Sequence, residues 1–259
     1  MSWKINKTSK HASKNPILIE GLPGVGNVGK IAVEYLIEAT EAKKIYDITS
    51  NDMPNCVFVN DENLIELPKI EIYTTKVKGK TIFILSGDHQ PTSENSCYSF
   101  CNEILDTFQK DNGKEIITLG GIALNEEPPD PQVYFTANSK KGLKKYSTNK
   151  KKLQNFIGPI TGVTGILSGL AATRKIEGTT LLAETSGNPS HIGFKGAKKI
   201  LEVLNKNLSL NIEITDLEPE ITPTKEKGTK KINKKNKKQK QENNEIVEHE
   251  EEKNLNYIG

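Results

Sequence analysis

Cysteine is scarce in this sequence: three residues in 259. An odd, sparse set excludes a disulfide framework and points to a reducing compartment. Long apolar runs are missing too. No stretch reaches the ~18–20 residues that a membrane span requires. The lysine-bearing N-terminus has no apolar run before Pro16, so it does not read as a secretory leader. Apolar residues make up 34% and aromatics 6%, with one tryptophan. Globular chains carry about 45–50% apolar residues, glycine included. With a mean hydropathy of −0.54, part of the chain must lie outside any packed core. Charge of one sign is also lacking: 36 Lys and Arg against 33 Asp and Glu leave a net +3. The chain as a whole is therefore no nucleic-acid-binding polycation, and any basic surface must be local. What remains is a soluble, cytoplasmic protein whose length suffices for one large domain plus an appendage.

The missing apolar content has an address. The composition shifts from about Pro219: lysine dominates from Lys225 to Lys240, and glutamate from Glu242 to Glu252. Such composition cannot bury enough surface to offset an ordering cost of ~1–2 kcal/mol per residue. Residues 217–259 read as a charged, disordered tail. The last five residues, Leu255-Asn256-Tyr257-Ile258-Gly259, change character and look like an apolar anchor on a polar tether. Residues 1–15 are polar and basic and read as a flexible arm. The domain proper spans residues 16–216.

Within that span strands and helices alternate. Ile17–Glu20 is a short apolar strand, followed by a glycine-rich turn and a helix over Gly29–Glu41. Lys44–Thr49, Val57–Val59, Ile65–Leu67, Ile70–Val77 and Thr81–Leu85 are strands with no room for helices between the later ones. The last two flank Lys78-Gly79-Lys80, a hairpin signal. Ser93–Lys110 is an amphipathic helix capped by Thr92 or Ser93. Glu115–Leu119 and Gln132–Ala137 are strands, and Pro159–Ala172 is a helix. Thr179–Glu184 is the last strand and Gly193–Leu208 the closing helix. The pattern predicts an α/β fold with a mixed sheet and helices on both faces.

Four groups could carry chemistry. Gly24-Val25-Gly26-Asn27-Val28-Gly29 matches the dinucleotide fingerprint between a strand and a helix, with Asp47 about where a ribose-binding acid would sit. Against it, Leu22-Pro23 lengthens the turn and hairpin strands follow. The loop, and Gly24, Gly26, Asn27 and Gly29 in particular, is an anion or nucleotide candidate; its alternative is a glycine-rich helix opening capped locally. Asp88 and His89 close a strong strand and could line a pocket, as strand C-termini do in open sheets. Cys97 and Cys101 follow at helical spacing and read as core residues, not metal ligands, for no CxxC or HxxxH spacing exists. Glycines at 158, 162, 165 and 169 fall on one helical face, which calls for close packing because each costs ~1 kcal/mol against alanine. Ser186 to His191 lacks a nucleophile elbow, has no acid placed to orient the histidine, and reads as a loop. No metal and no cofactor is expected.

Taken together these segments resemble the archaeal proteasome-assembly-chaperone family, relatives of the second eukaryotic proteasome assembly chaperone. The resemblance rests on Ile19-Glu20-Gly21-Leu22-Pro23-Gly24-Val25-Gly26-Asn27-Val28-Gly29-Lys30-Ile31-Ala32, then Gly87-Asp88-His89-Gln90-Pro91. Thr118-Leu119-Gly120-Gly121, Gly158-Pro159-Ile160-Thr161-Gly162-Val163-Thr164-Gly165 and Leu181-Leu182-Ala183-Glu184-Thr185 follow in order. It covers about Pro16 to Leu208. It implies a three-layer α/β/α domain similar to purine nucleoside phosphorylases, homo-oligomeric assembly, and binding to the proteasome core particle or its α-subunits without catalysis. It also gives Leu255, Tyr257, Ile258 and Gly259 a role as a docking tail. Proteasome-binding tails often carry tyrosine second from last; here Tyr257 is third from last. A coil of ~40 residues spans ~30–40 Å, and several tails in an oligomer would raise effective concentration into the mM range. The alternative is a nucleotide- or phosphate-binding enzyme using Gly24–Gly29. A nucleic-acid contact through the lysine block ranks last, because the adjacent glutamates oppose it.

Overall fold

A computed structural model describes residues 3–10, 15–147, 158–214 and 217. An eight-stranded sheet runs in the order β1-β3-β6-β7-β2-β8-β10-β9. Its centre is parallel: β2 (Ile17–Glu20) lies between β7 (Lys80–Gly87) and β8 (Glu115–Leu124), and β8 pairs in parallel with β10 (Glu177–Ser186). β3 (Lys43–Thr49), β6 (Ile70–Val77) and β7 are joined antiparallel. β9 (Val133–Ala137) closes the far edge antiparallel to β10. The β6–β7 hairpin turns at Lys78 and Gly79, both with positive φ (47° and 77°), as a two-residue primed turn requires.

Side-chain alternation along the central strands sorts the core into two layers. Leu18, Phe83, Leu85 and Ile116 face α2 (Glu94–Lys110) and α4 (Gly162–Thr173). Ile19, Ile82, Ile84 and Ile117 face the opposite layer, built from α1 (Val28–Ala39) and α5 (Phe194–Leu208). Both faces of the centre are covered, which is why these strands are uniformly apolar. Helix α2 starts where Ser93 accepts a hydrogen bond from the Ser96 N–H, the cap that the sequence suggests. Cys97 and Cys101 lie in its buried stripe with Phe100, Ile104 and Phe108.

The structure departs from the sequence reading in four places. Residues Lys4–Lys7, expected as part of a flexible arm, form β1 on the edge of β3. Trp3 holds this strand down: its ring is 2% exposed, its Nε1 donates to the Ser96 carbonyl at 3.2 Å, and its edge meets Phe100. β8 and β10 run longer than expected, β8 straight through Gly120-Gly121, because pairing with a neighbour outweighs the weak strand preference of glycine. Helix α3 (Lys140–Ser147) stands where the sequence shows only lysines around Leu143. Helix α4 begins at Gly162 rather than Pro159, since Gly162 has φ +71° and cannot belong to a regular turn before it.

The hairpin of β4 (Phe58–Val59) and β5 (Ile65–Glu66) forms a separate two-stranded sheet. Residues 1–218 form one compact unit. The tail calls at Leu255, Tyr257, Ile258 and Gly259 lie outside the described residues.

Candidate functional site: a glycine-walled cleft at the switch point

After β2 the chain leaves through α1 toward β3, on one side of the sheet; after β8 it moves to the other side, toward β9 and β10. The boundary between β2 and β8 is therefore a topological switch point, where open α/β sheets leave a crevice beyond the strand C-termini. A cleft of about 300 Å³ lies there. The sequence segments singled out above converge on it. Leu22, Gly24 and Val25 come from the loop after β2 and Gly29 from the first turn of α1. Gln90 comes from the loop after β7, and Leu119, Gly120 and Gly121 from β8. Pro159, Ile160 and Thr161 come from the segment leading into α4, Thr164 from its first turn, and Leu182 from β10. Among the described residues wider grooves lie beside the β4–β5 hairpin and at the end of α5, but neither gathers these segments.

The glycine-rich loop is shaped by what packs against it. A Cβ at Gly29 would stand 2.5 Å from the Leu119 carbonyl oxygen, and one at Gly21 2.2 Å from that of Gly29. Gly26 has φ +61° and lies against Thr185, and its carbonyl accepts from the Gly193 N–H at 2.8 Å. These glycines let backbone approach backbone across β2, β8 and α5. Gly24 differs: a Cβ there would meet only the Gln90 amide, at 4.0 Å, so its open side faces the cleft. Asn27 has φ 52° and precedes α1 without a side-chain cap. Asp47 is remote from this loop, because β6 and β7 stand between β3 and β2; the ribose-acid placement fails for that reason.

Asp88 lines the groove beside the β4–β5 hairpin and not the cleft, and His89 lines neither. Asp88 is a strut: its carboxylate accepts from the Lys69 N–H at 3.0 Å and from Lys30 at 3.3 Å. Burial pushes the His89 pKa down. The next residue, Gln90, crosses the mouth of the cleft. Its amide nitrogen donates to the Pro23 carbonyl at 2.5 Å, and its oxygen accepts from the Val163 N–H at 3.3 Å, tying the glycine loop to the start of α4.

Glu20, the last residue of β2, is completely buried. Its Oε1 accepts from the Leu22 N–H at 2.9 Å, and Oε2 has no partner. Its other polar neighbours are the Thr164 side chain, the Cys97 thiol and the backbone of Leu119; Leu22, Thr164 and Leu119 also line the cleft, whereas Glu20 itself does not. Burial raises its pKa from an ordinary 4.5 to about 8; at neutral pH it is a neutral acid. Beside it Thr118, Ser168 and Thr180 form a closed triangle of hydroxyls at 2.8–3.1 Å. Sequence reasoning missed Glu20, Gln90 and Thr164 as site residues. The available signal was a carboxylate ending the otherwise apolar central strand Ile17-Leu18-Ile19.

At the end of β10 the loop reading of Ser186–His191 holds, with Asn188 and Ser190 N–H groups bonded back to Ser186 and Asn188 side chains. An acid does stand beside the histidine, contrary to expectation: Glu127 Oε1 is 3.0 Å from His191 Nε2, brought there by the proline-rich loop before β9. Among the described residues no group of three or more His, Cys, Asp or Glu side chains could hold a metal ion. No helix among them is long and apolar enough to cross a membrane.

Fold and cleft define the class: a three-layer α/β/α domain whose distinguishing segments meet at one strand-end crevice. Comparison with known proteins gives the family. The PAC2 family profile matches residues 18–230, and the chain belongs to that family. An uncharacterised protein of Methanocaldococcus jannaschii is 30% identical over 205 residues, 79% of this chain and 78% of its own. Among solved structures, Pyrococcus furiosus PbaB, described as an archaeal proteasome activator, is 29% identical with a TM-score of 0.77, covering 83% of this chain and 93% of its own. Pyrococcus furiosus PbaA, described as an archaeal homolog of proteasome-assembly chaperone, is 26% identical with a TM-score of 0.70, covering 83% and 89%.

Proposed function

We propose that this chain is a non-catalytic, proteasome assembly chaperone-like binding protein of the cytoplasm. It acts as a homo-oligomer and engages the proteasome core particle or its α-subunits, in part through Leu255, Tyr257, Ile258 and Gly259. The observation that carries this reading is the likeness to PbaB over 83% of the chain, with PbaA beside it. The tail composition supports it: an aromatic and aliphatic tip on a polar tether suits peptide capture by an apolar pocket. A nucleotide- or phosphate-binding role for Gly24, Gly26, Asn27 and Gly29 has less support, because among the described residues no lysine, arginine or histidine lines the cleft beside them and Gly26 and Gly29 are in backbone contact.

The test is a pull-down of archaeal-type α-subunits and assembled core particle with the full chain and with a chain lacking Leu255–Gly259. Capture by the full chain that weakens on deletion is the expected result. Equal capture by both removes the tail from the proposal, and no capture by either overturns it.

A further inference from the structure

The hairpin of β4 and β5 belongs to neither core layer, yet it carries a concentrated apolar surface. Among the described residues eleven large hydrophobic side chains are exposed, and six of them, Val57, Phe58, Val59, Leu64, Ile65 and Leu67, belong to this hairpin; the exposure is local and not scattered. The hairpin's shape is set by its own turn. The Asn60 side-chain oxygen accepts from the Glu62 and Leu64 N–H groups at 3.1 and 2.9 Å, and its amide nitrogen donates to Glu66 at 2.7 Å. Asn63 turns the chain with φ +61°. Val59 and Ile65 are direct cross-strand partners, as are Phe58 and Glu66, so the two pairs stand on opposite faces. Phe58 and Glu66 line the groove against the domain. The Val59–Ile65 face therefore points away from the domain, with the two residues 61% and 73% exposed. That reverses the usual arrangement, in which a sheet turns its apolar face to the core and its charges to water.

Charge does not select the occupant. Acids beside the hairpin are met by lysines of the same chain: Glu66 by Lys69, Glu34 and Asp88 by Lys30, and Glu71 by Lys44. Asp61 and Glu62 sit in the turn, beyond the apolar strands. What remains to be recognised is an apolar face of limited size. At whole-residue areas of roughly 150–200 Å², the six residues leave about 600 Å² in water, the upper end of what a monomer carries in one patch. Two such patches covering each other remove up to about 1,200 Å², where stable interfaces begin. We propose that the β4–β5 hairpin is a self-association surface, covered by the same hairpin of a second copy of this chain about a two-fold axis. Antiparallel packing meets Val59 and Ile65 with an equal apolar face and keeps the two acidic turns at opposite ends of the contact. The inference rests on the homo-oligomer of the proposed function and gives that oligomer a surface.

The test is sedimentation velocity on the full chain at roughly 1 to 100 μM. The parent is expected to associate. Ile65→Lys and Val59→Lys, one on each strand, bring an ammonium into the contact from both copies, and each should raise the dissociation constant more than about tenfold. Both positions lie outside the two core clusters, so far-UV circular dichroism should be unchanged, and either variant decides if the other fails to fold. Tyr98→Lys replaces an exposed aromatic on α2, in the helix layer opposite the α1 residues that border the hairpin groove, and should associate like the parent. Capture of core particle is measured on the same samples, so that loss of self-association and loss of proteasome binding are read apart. An associating parent whose Ile65→Lys and Val59→Lys variants associate equally well overturns the surface and leaves the homo-oligomer standing. An equal loss in Tyr98→Lys overturns the surface as well. A parent that stays monomeric throughout overturns both and turns the hairpin toward a different protein.

Discussion

Glu20 puts a titratable group where water cannot reach it, and that has a sign. Its pKa rises from 4.5 to about 8 in the folded chain, chiefly through burial. Below pH ~4.5 both folded and unfolded states hold the proton and no penalty exists. Between pH ~4.5 and ~8 the unfolded chain releases the proton while the folded chain keeps it, so stability falls as pH rises, by up to about 1.4 kcal/mol per pH unit. Glu20→Gln removes the titration and keeps the hydrogen bond to the Leu22 N–H. Urea unfolding at pH 5 and pH 8 should show the parent losing a few kcal/mol more than Glu20→Gln over that interval. Titrations common to both chains cancel in the comparison. Parallel profiles would show that Glu20 is solvated in solution. No pattern in the sequence exposes this: the run Ile17–Glu20 shows a strand, but the absence of a partner for Oε2 depends on α4, 140 residues away in the chain.

At the level of elements, α4 separates what glycine spacing can and cannot convey. The interval of four, three and four suggests a face packed against backbone. In the structure each glycine answers to something different. Gly162 needs its positive φ. A Cβ on Gly165 would lie 2.0 Å from the Ile160 carbonyl oxygen, and one on Gly169 would meet nothing within 4 Å. Gly165→Ala should therefore destabilise by about 1–3 kcal/mol through overpacking, while Gly169→Ala should stabilise by about 0.5–1 kcal/mol through helix propensity. Chemical denaturation of the two single variants checks the opposite signs; equal effects would mean that α4 sits differently on the sheet. Strands β2 and β6 and helix α2 were legible to within a residue or two because local pattern and tertiary environment agree there. β1 was not, since three polar residues around Ile5 become a strand only with Ile5 packed on the core and Trp3 reaching Ser96 and Phe100. Trp3→Ala should cost about 3–5 kcal/mol or, if the edge strand simply frays, abolish hydrogen-exchange protection in Lys4–Lys7 while leaving β7 and β8 protected.

For the whole molecule, the alternating pattern foretold the layered fold, because helices and hairpin strands each leave a periodic trace. The strand order left none, and with it the location of the cleft, since residues from five separated segments meet only once β2 is inserted between β7 and β8. The end of the domain is set by packing. After α5 the chain runs back over the α1–α5 layer, where Ile212, Ile214 and Leu217 pack on the core and the Glu213 carbonyl accepts from the Tyr35 hydroxyl at 2.6 Å. A chain ending at Glu218 keeps all of these contacts and should melt at the temperature of the full chain. A chain ending at Leu210 loses three partly buried apolar side chains, the Tyr35 hydrogen bond and the two hydrogen bonds between Asn205 and the Ile212 backbone. Its loss should amount to a few kcal/mol, at roughly 25 cal/mol per Å² of apolar area. If the proposed function is right, the chain ending at Glu218 separates folding from partner capture: unchanged melting and weakened capture of core particle. Capture that survives removal of residues 219–259 would place the proteasome contact on the domain itself, while a lowered melting temperature would extend the folded unit beyond Glu218.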